Sequence, residues 1–189
     1  MASRTFICRT IRWSGWEGFE DGLEHVDIRP EETSIVASGI IVGSDEDSCY
    51  ALTYDLVVDA GWHVREARLR TTAGQDSHLE SDGLGSWRMD GRPRPDLQGC
   101  IDIDIEATPL TNTLPIRRLA LDRGRSAVIH VAYIRVPSLA VEVARQRYTA
   151  LEPGSLYRFE SLDSGFRADL PVDHEGFVMN YPRLFRRWT

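Results

Sequence analysis

Residues 97–119, LQGCIDIDIEATPLTNTLPIRRL, place an alternating run, a polar stretch and an arginine pair in one short segment, and its reading decides the fold. Isoleucine and carboxylate alternate through it, so Ile101, Ile103 and Ile105 belong to one face of a strand, and Asp102, Asp104 and Glu106 to the other. Closing a hairpin through residues 108–114 predicts a second strand over 115–121, antiparallel to the first. One of Arg117 and Arg118 then points to the acidic face and partly neutralises the carboxylate ladder.

The pattern extends outward in both directions. Period-two runs are expected as strands near 5–13, 23–28, 33–42, 49–58, 64–72, 77–80, 86–89 and 100–107. Others follow near 127–136, 141–148, 156–161, 166–170 and 177–180. Turn residues punctuate them, among them Gly43-Ser44-Asp45, Asp59-Ala60-Gly61 and Glu152-Pro153-Gly154. Sustained helical periodicity is scarce, so the fold class is all-β, an antiparallel meander with little helix that curls or stacks to protect its edges. The 189 residues suit a single domain, able to bury roughly 70% of its unfolded surface. The Pro-rich stretch at 91–95 is too short for a linker and reads as a surface loop.

Two predicted strands are apolar on both faces: Ile35, Ala37 and Ile41 against Val36, Ile40 and Val42, and Ile129, Val131 and Tyr133 against Val128, Ala132 and Ile134. Both are expected to be covered on both sides. The cover is either a second layer of the core or an apolar ligand cavity.

Composition excludes several classes. A net charge of −7, from 22 basic and 29 acidic side chains, disfavours nucleic acid and anionic membrane surfaces as partners. Every basic residue is arginine, which excludes a Schiff-base lysine or a phosphate-loop lysine. Integral membrane association is not expected, because the most apolar stretch, 126–144, contains His130, Arg135 and Glu142. Arg4, Arg9 and Arg12 interrupt any export-signal core. Cys8, Cys49 and Cys100 are odd in number and far apart, which points to free thiols and a cytoplasmic location, Cys100 as a small buried residue.

No complete catalytic, cofactor or metal signature is present. The five histidines are scattered singly, and Asp102 and Asp104 start but do not complete a calcium loop. Side chains at i and i+2 on a strand lie roughly 6–7 Å apart, so Asp102 and Asp104 could form the acid/base pair of a hydrolase acting on a glycosidic or ester bond. Their pairing with arginine is the competing structural role. Trp62 and Trp87 sit near turns, where an indole stacks on a sugar ring or an acyl chain.

Four pieces carry a resemblance: DGLGSW (82–87), the opening segment, QRYTAL (146–151) and VDHEGFVMNYPRLFRR (172–187). Through them the chain resembles, essentially from end to end, the bacterial glycolipid-binding family, with TPLTNTLPIRRL as the most specific match. The resemblance implies a spiral β-roll or half-barrel, similar in outline to periplasmic lipoprotein carriers, and supplies no catalytic residues. The leading expectation is a non-enzymatic binder of a glycolipid or other amphipathic small molecule, without cofactor or metal. Apolar strands would cover the tail, and Asp102, Asp104, Thr111, Asn112, Arg117 and Arg118 would meet the head. Trp62, Trp87, Tyr133 and Tyr148 are the aromatic candidates. The alternatives are the Asp102/Asp104 hydrolase and a protein-interaction module without a pocket.

Overall fold

The structure is a computed structural model that describes residues 8–17, 22–44 and 48–188. Residues 5–7 of the first expected strand, most of the segment read for an export signal and Asp45 of the 43–45 turn lie outside the described residues.

The fold is all-β, in two sheets. The larger one runs as successive hairpins through β1 (Arg9–Gly15), β2 (Leu23–Pro30), β3 (Ser34–Ser44), β4 (Cys49–Asp59), β5 (Val64–Thr71), β6 (Asp76–Ser81), β7 (Trp87–Met89) and β8 (Arg92–Pro93). The C-terminal hairpin, β14 (Asn180–Tyr181) and β15 (Phe185–Arg187), returns to pair with β1, Trp13 facing Arg187. Only part of the strand expected at 177–180 forms, and β15 was not legible as a strand. Alternation sends Val26 and Ile28, Leu52 and Leu56, and Ala67 and Leu69 into the core.

Gly39 lies opposite Tyr54, and a Cβ there would come within 2.2 Å of the Tyr54 ring. The bare backbone lets the phenol cross the sheet, where it donates to Glu24 at 2.5 Å. Glu24 is 3% exposed and also accepts from the Thr108 hydroxyl at 2.7 Å.

The outer face of this sheet is polar, carrying side-chain pairs such as Thr10 with Asp27 and Ser38 with Asp55. On it Ile40 is 46% and Val42 55% exposed, so β3 is covered on one face only, which corrects the expectation for that strand. Their neighbours across the strands include His25 and Thr53, and isolated apolar side chains on a solvated face need no cover.

The smaller sheet has the order β13–β12–β11–β10–β9, from β9 (Asp102–Ile105), β10 (Ser126–Ile134), β11 (Val141–Glu152), β12 (Leu156–Ser161) and β13 (Arg167–Pro171). β9 and β10 are parallel, and no hairpin follows β9. The segment expected as a strand at 115–121 is instead helix α1 (Thr113–Leu119), entered through a 3-10 turn at Leu110–Asn112. Parallel neighbours require a crossover, and this helix is its body. Pro115 sits in its first turn, where a missing N–H costs no hydrogen bond. Ala120 ends it in a left-handed conformation, φ 44°.

α1 and β10 are shared between two apolar clusters. Leu110 and Leu114, with Ile103, Ile105, Ala132 and Ile134, join the core of the large sheet. Ile116, Ile129 and Val131 face the other way and pack with Tyr148, Phe159, Leu170 and Tyr181. β10 is therefore covered on both faces as expected, except at its start, where Val128 is exposed.

Candidate functional site

The second cluster does not fill its side of the small sheet. Where the cover of α1 ends, a cleft of about 680 Å³ opens over β9–β12, rimmed by the turn from β12 to β13 and by the C-terminal hairpin. Register explains its lining. Asp104, Tyr133 and Glu142 lie side by side across β9, β10 and β11, and Gln146 and Ser161 across β11 and β12, all from the same face.

One end of the cleft is aromatic. Tyr148, Phe159, Phe166, Tyr181 and Phe185 form a chain of ring contacts with centroids 5.5 to 6.3 Å apart, and the last four line the cleft beside Leu184. Edge and tilted contacts of this kind are the favoured aromatic geometry, so the wall is held by its own packing.

The other end is polar. Asp104 accepts from the Gln146 amide at 2.6 Å and from the Thr111 hydroxyl at 3.1 Å. Burial pushes its carboxyl above the usual carboxylate range and the nearby Glu106 adds to this, while the two hydrogen bonds pull the other way. Glu106 accepts from the Val136 backbone N–H at 3.0 Å and from the Tyr133 hydroxyl. Asn112 donates to the Tyr148 hydroxyl at 2.8 Å. Burial, with the field of Asp104, raises the phenols of Tyr148 and Tyr181, and burial with Glu106 raises that of Tyr133, so all three remain hydroxyl donors. At the rim Arg135 pairs with Glu142 at 2.6 Å, and Asp163 pairs with Arg145 at 2.8 Å.

The residues expected at a site divide into two groups. Asp104, Asn112 and Tyr133 line the cleft, Thr111 holds Asp104 from behind, and Tyr148 lies beneath Asn112. Asp102 belongs elsewhere: it is fully buried and held by Arg118 in a two-pronged pair at 3.0 and 2.5 Å. Burial pushes its carboxyl up against the pull of the guanidinium. The expected neutralisation of the ladder is thus present, delivered by a helix and not by a neighbouring strand. Because Asp102 is closed off, Asp102 and Asp104 do not face one substrate as a hydrolase pair.

Arg117 stacks on Trp62 at 4.8 Å and donates to the Glu175 carbonyl at 2.9 Å, anchoring the 172–179 turn. Trp62 and Trp87 are core residues. Trp62 contacts Phe177 edge-on, and Trp87 donates to the Cys100 carbonyl at 2.7 Å. Cys100 is buried as expected, its thiol pushed up to about 11 by burial. Sequence reasoning left Gln146, Phe159, Phe166, Tyr181 and Phe185 out of the site. The first was legible as the partner of Tyr148 on one face of QRYTAL. The aromatic wall joins three separate segments, and only folding brings them together.

Among the described residues no group of three or more histidine, cysteine or acidic side chains is placed to hold a metal ion, and no helix is long and apolar enough to cross a membrane.

Fold and site together define an all-β protein with an amphipathic cleft on its smaller sheet. The chain belongs to the family described as Putative glycolipid-binding, which matches residues 10–187. It is similar to a DUF1089 family protein of Pseudomonas aeruginosa whose crystal structure is known. The two are 37% identical, with a TM-score of 0.79, over 100% of this chain and 98% of that one. A search among curated proteins gives no match.

Proposed function

We propose that the cleft binds an amphipathic small molecule of the glycolipid class without transforming it, as a single-domain cytoplasmic binding protein. The observation that carries this reading is the polarity of the cleft, aromatic at the Phe159–Phe166–Tyr181–Phe185 end and hydrogen-bonding at the Asp104–Asn112–Tyr133–Gln146 end. Pockets for small ligands combine an apolar lining with a few placed polar groups, and about 680 Å³ lies in their usual size range. The family description supports the same class of ligand. Aromatic faces suit an alkyl chain or the apolar face of a sugar, and the carboxylate, amide and phenol groups suit its hydroxyls. The free thiols of Cys8, Cys49 and Cys100 support a reducing compartment.

Native mass spectrometry and lipid extraction of gently purified protein, followed by titration with decyl glucoside below its micelle concentration, test the reading. A co-purifying amphiphile or saturable glucoside binding is expected. Phe166→Ala should weaken it by about tenfold, the cost of one lost aromatic contact. No amphiphile in the extract and no binding to alkyl glycosides would remove the proposal. Turnover of the glycoside would replace binding with catalysis.

A further inference from the structure

The polar end of the cleft holds two carboxylates on one strand exit, Asp104 and Glu106, and their partners set them apart from the other acidic side chains around them. At the rim Glu142 has Arg135, and Asp163 has Arg145; next to α1, on the same face of β9 as Asp104, Asp102 has Arg118. Asp104 and Glu106 are instead held by an amide, hydroxyls and a backbone N–H. Among the described residues neither has an arginine or histidine within ion-pair distance. Of the four acidic side chains that line the cleft among the described residues, Glu142 and Asp163 are paired with arginine, and Asp104 and Glu106 are the two without an ion pair.

We infer, building on the binding reading above, that the head group this cleft selects carries a protonated amine, seated between Asp104 and Glu106. An amino sugar or another amine on a single apolar chain has this chemistry.

Three features favour that group over a neutral or anionic one. Burial and the nearby Glu106 hold the Asp104 carboxyl up, which an arriving cation relieves, and a charge-assisted hydrogen bond is roughly twice as strong as a neutral one. An ammonium has three donors, and Asp104 and Glu106 are acceptors with lone pairs beyond those used by Gln146, Thr111, Val136 and Tyr133. The aromatic residues around them add attraction of the same sign. Rings at the edge of the cleft attract cations, as Arg135 at 5.7 Å from the centre of the Tyr133 ring and Arg183 at 5.5 Å from that of Phe166 show, and the charge of Arg135 is offset by its pair with Glu142. A phosphate or sulfate head would meet two carboxylates at close range and be repelled.

Isothermal titration of the whole protein with four decyl amphiphiles below their micelle concentrations separates the possibilities: the 2-amino-2-deoxyglucoside, the glucoside, the phosphate and decylammonium. The aminoglucoside should bind at least about tenfold more tightly than the glucoside, one ion-assisted contact in the affinity scale, and the phosphate most weakly. In Glu106→Gln, and in Asp104→Asn as a second variant, the ratio of aminoglucoside to glucoside affinity should fall toward one. Decylammonium binding that shares this dependence places the selectivity in the amine and not in the sugar. Equal affinity for aminoglucoside and glucoside, or tighter binding of the phosphate, overturns the amine assignment while the cleft remains a binding site. No binding by any of the four overturns both.

Discussion

Glu24 is a carboxyl side chain between two sheets with only a phenol and a threonine hydroxyl for company, and burial raises it from 4.5 to about 7. Between these values the unfolded chain releases a proton that the folded chain keeps. Stability attributable to Glu24 is therefore full below about 4.5, falls as pH rises, and levels off above about 7. Glu24→Gln should flatten this slope and gain on the parent by about 3 kcal/mol between the acidic and neutral ends. Urea titrations across that range check it; equal slopes would exclude Glu24 as the source. Asp102 poses the opposite case, since Arg118, only 15% exposed, loses its counter-charge if Asp102 is neutralised. Asp102→Asn should cost about 3 kcal/mol at pH 7, in the range found for breaking a buried pair from one side. Thermal denaturation at low and high salt measures the loss, and salt should change it little.

At the scale of elements, β3 and β4 meet most tightly at Gly39. A methyl on Gly39 would strike the Tyr54 ring, which is buried and tied to Glu24 through its hydroxyl. Gly39→Ala should destabilise the protein by about 2 kcal/mol through overpacking, readable as a lower midpoint in urea. Serine at the neighbouring position 38, on the solvated face, should tolerate alanine far better. Elements were also where the sequence was least legible. The strand with Asp102 and Asp104 was read correctly as alternating, because period two survives in four residues. LPIRRL was not, because six residues with leucine and isoleucine fit either period, and the polar stretch before it reads as a hairpin loop. What makes it helical is that Leu114 and Ile116 have apolar surfaces to meet on opposite sides. Tertiary demand of that kind overrides local pattern.

The whole molecule is joined through α1, β9 and β10. Trp13, Trp62 and Trp87 report on the core of the large sheet, and the tyrosine and phenylalanine cluster on that of the small sheet. Since β10 supplies Ala132 and Ile134 to one and Ile129 and Val131 to the other, neither core can lose its packing alone. Tryptophan fluorescence and far-ultraviolet circular dichroism should therefore give coincident urea transitions; separated midpoints would show that the sheets unfold independently.

The sequence by itself determined that the chain is all-β, which residues alternate into the core, and that the acidic run at 102–106 is partly neutralised by a following arginine. Those properties follow from period and charge over short stretches, where neighbours in sequence are neighbours in space. Only the tertiary structure decided which carboxylates keep a free side. Arg118 reaches Asp102 because a helix, not a strand, crosses from β9 to β10, and this leaves Asp104 and Glu106 facing the cleft. It also decided that the tryptophans are core and that the aromatic wall is made by Phe159, Phe166, Tyr181 and Phe185. These side chains come from separate turns and strands, and their meeting depends on packing between sheets, which no local spacing encodes.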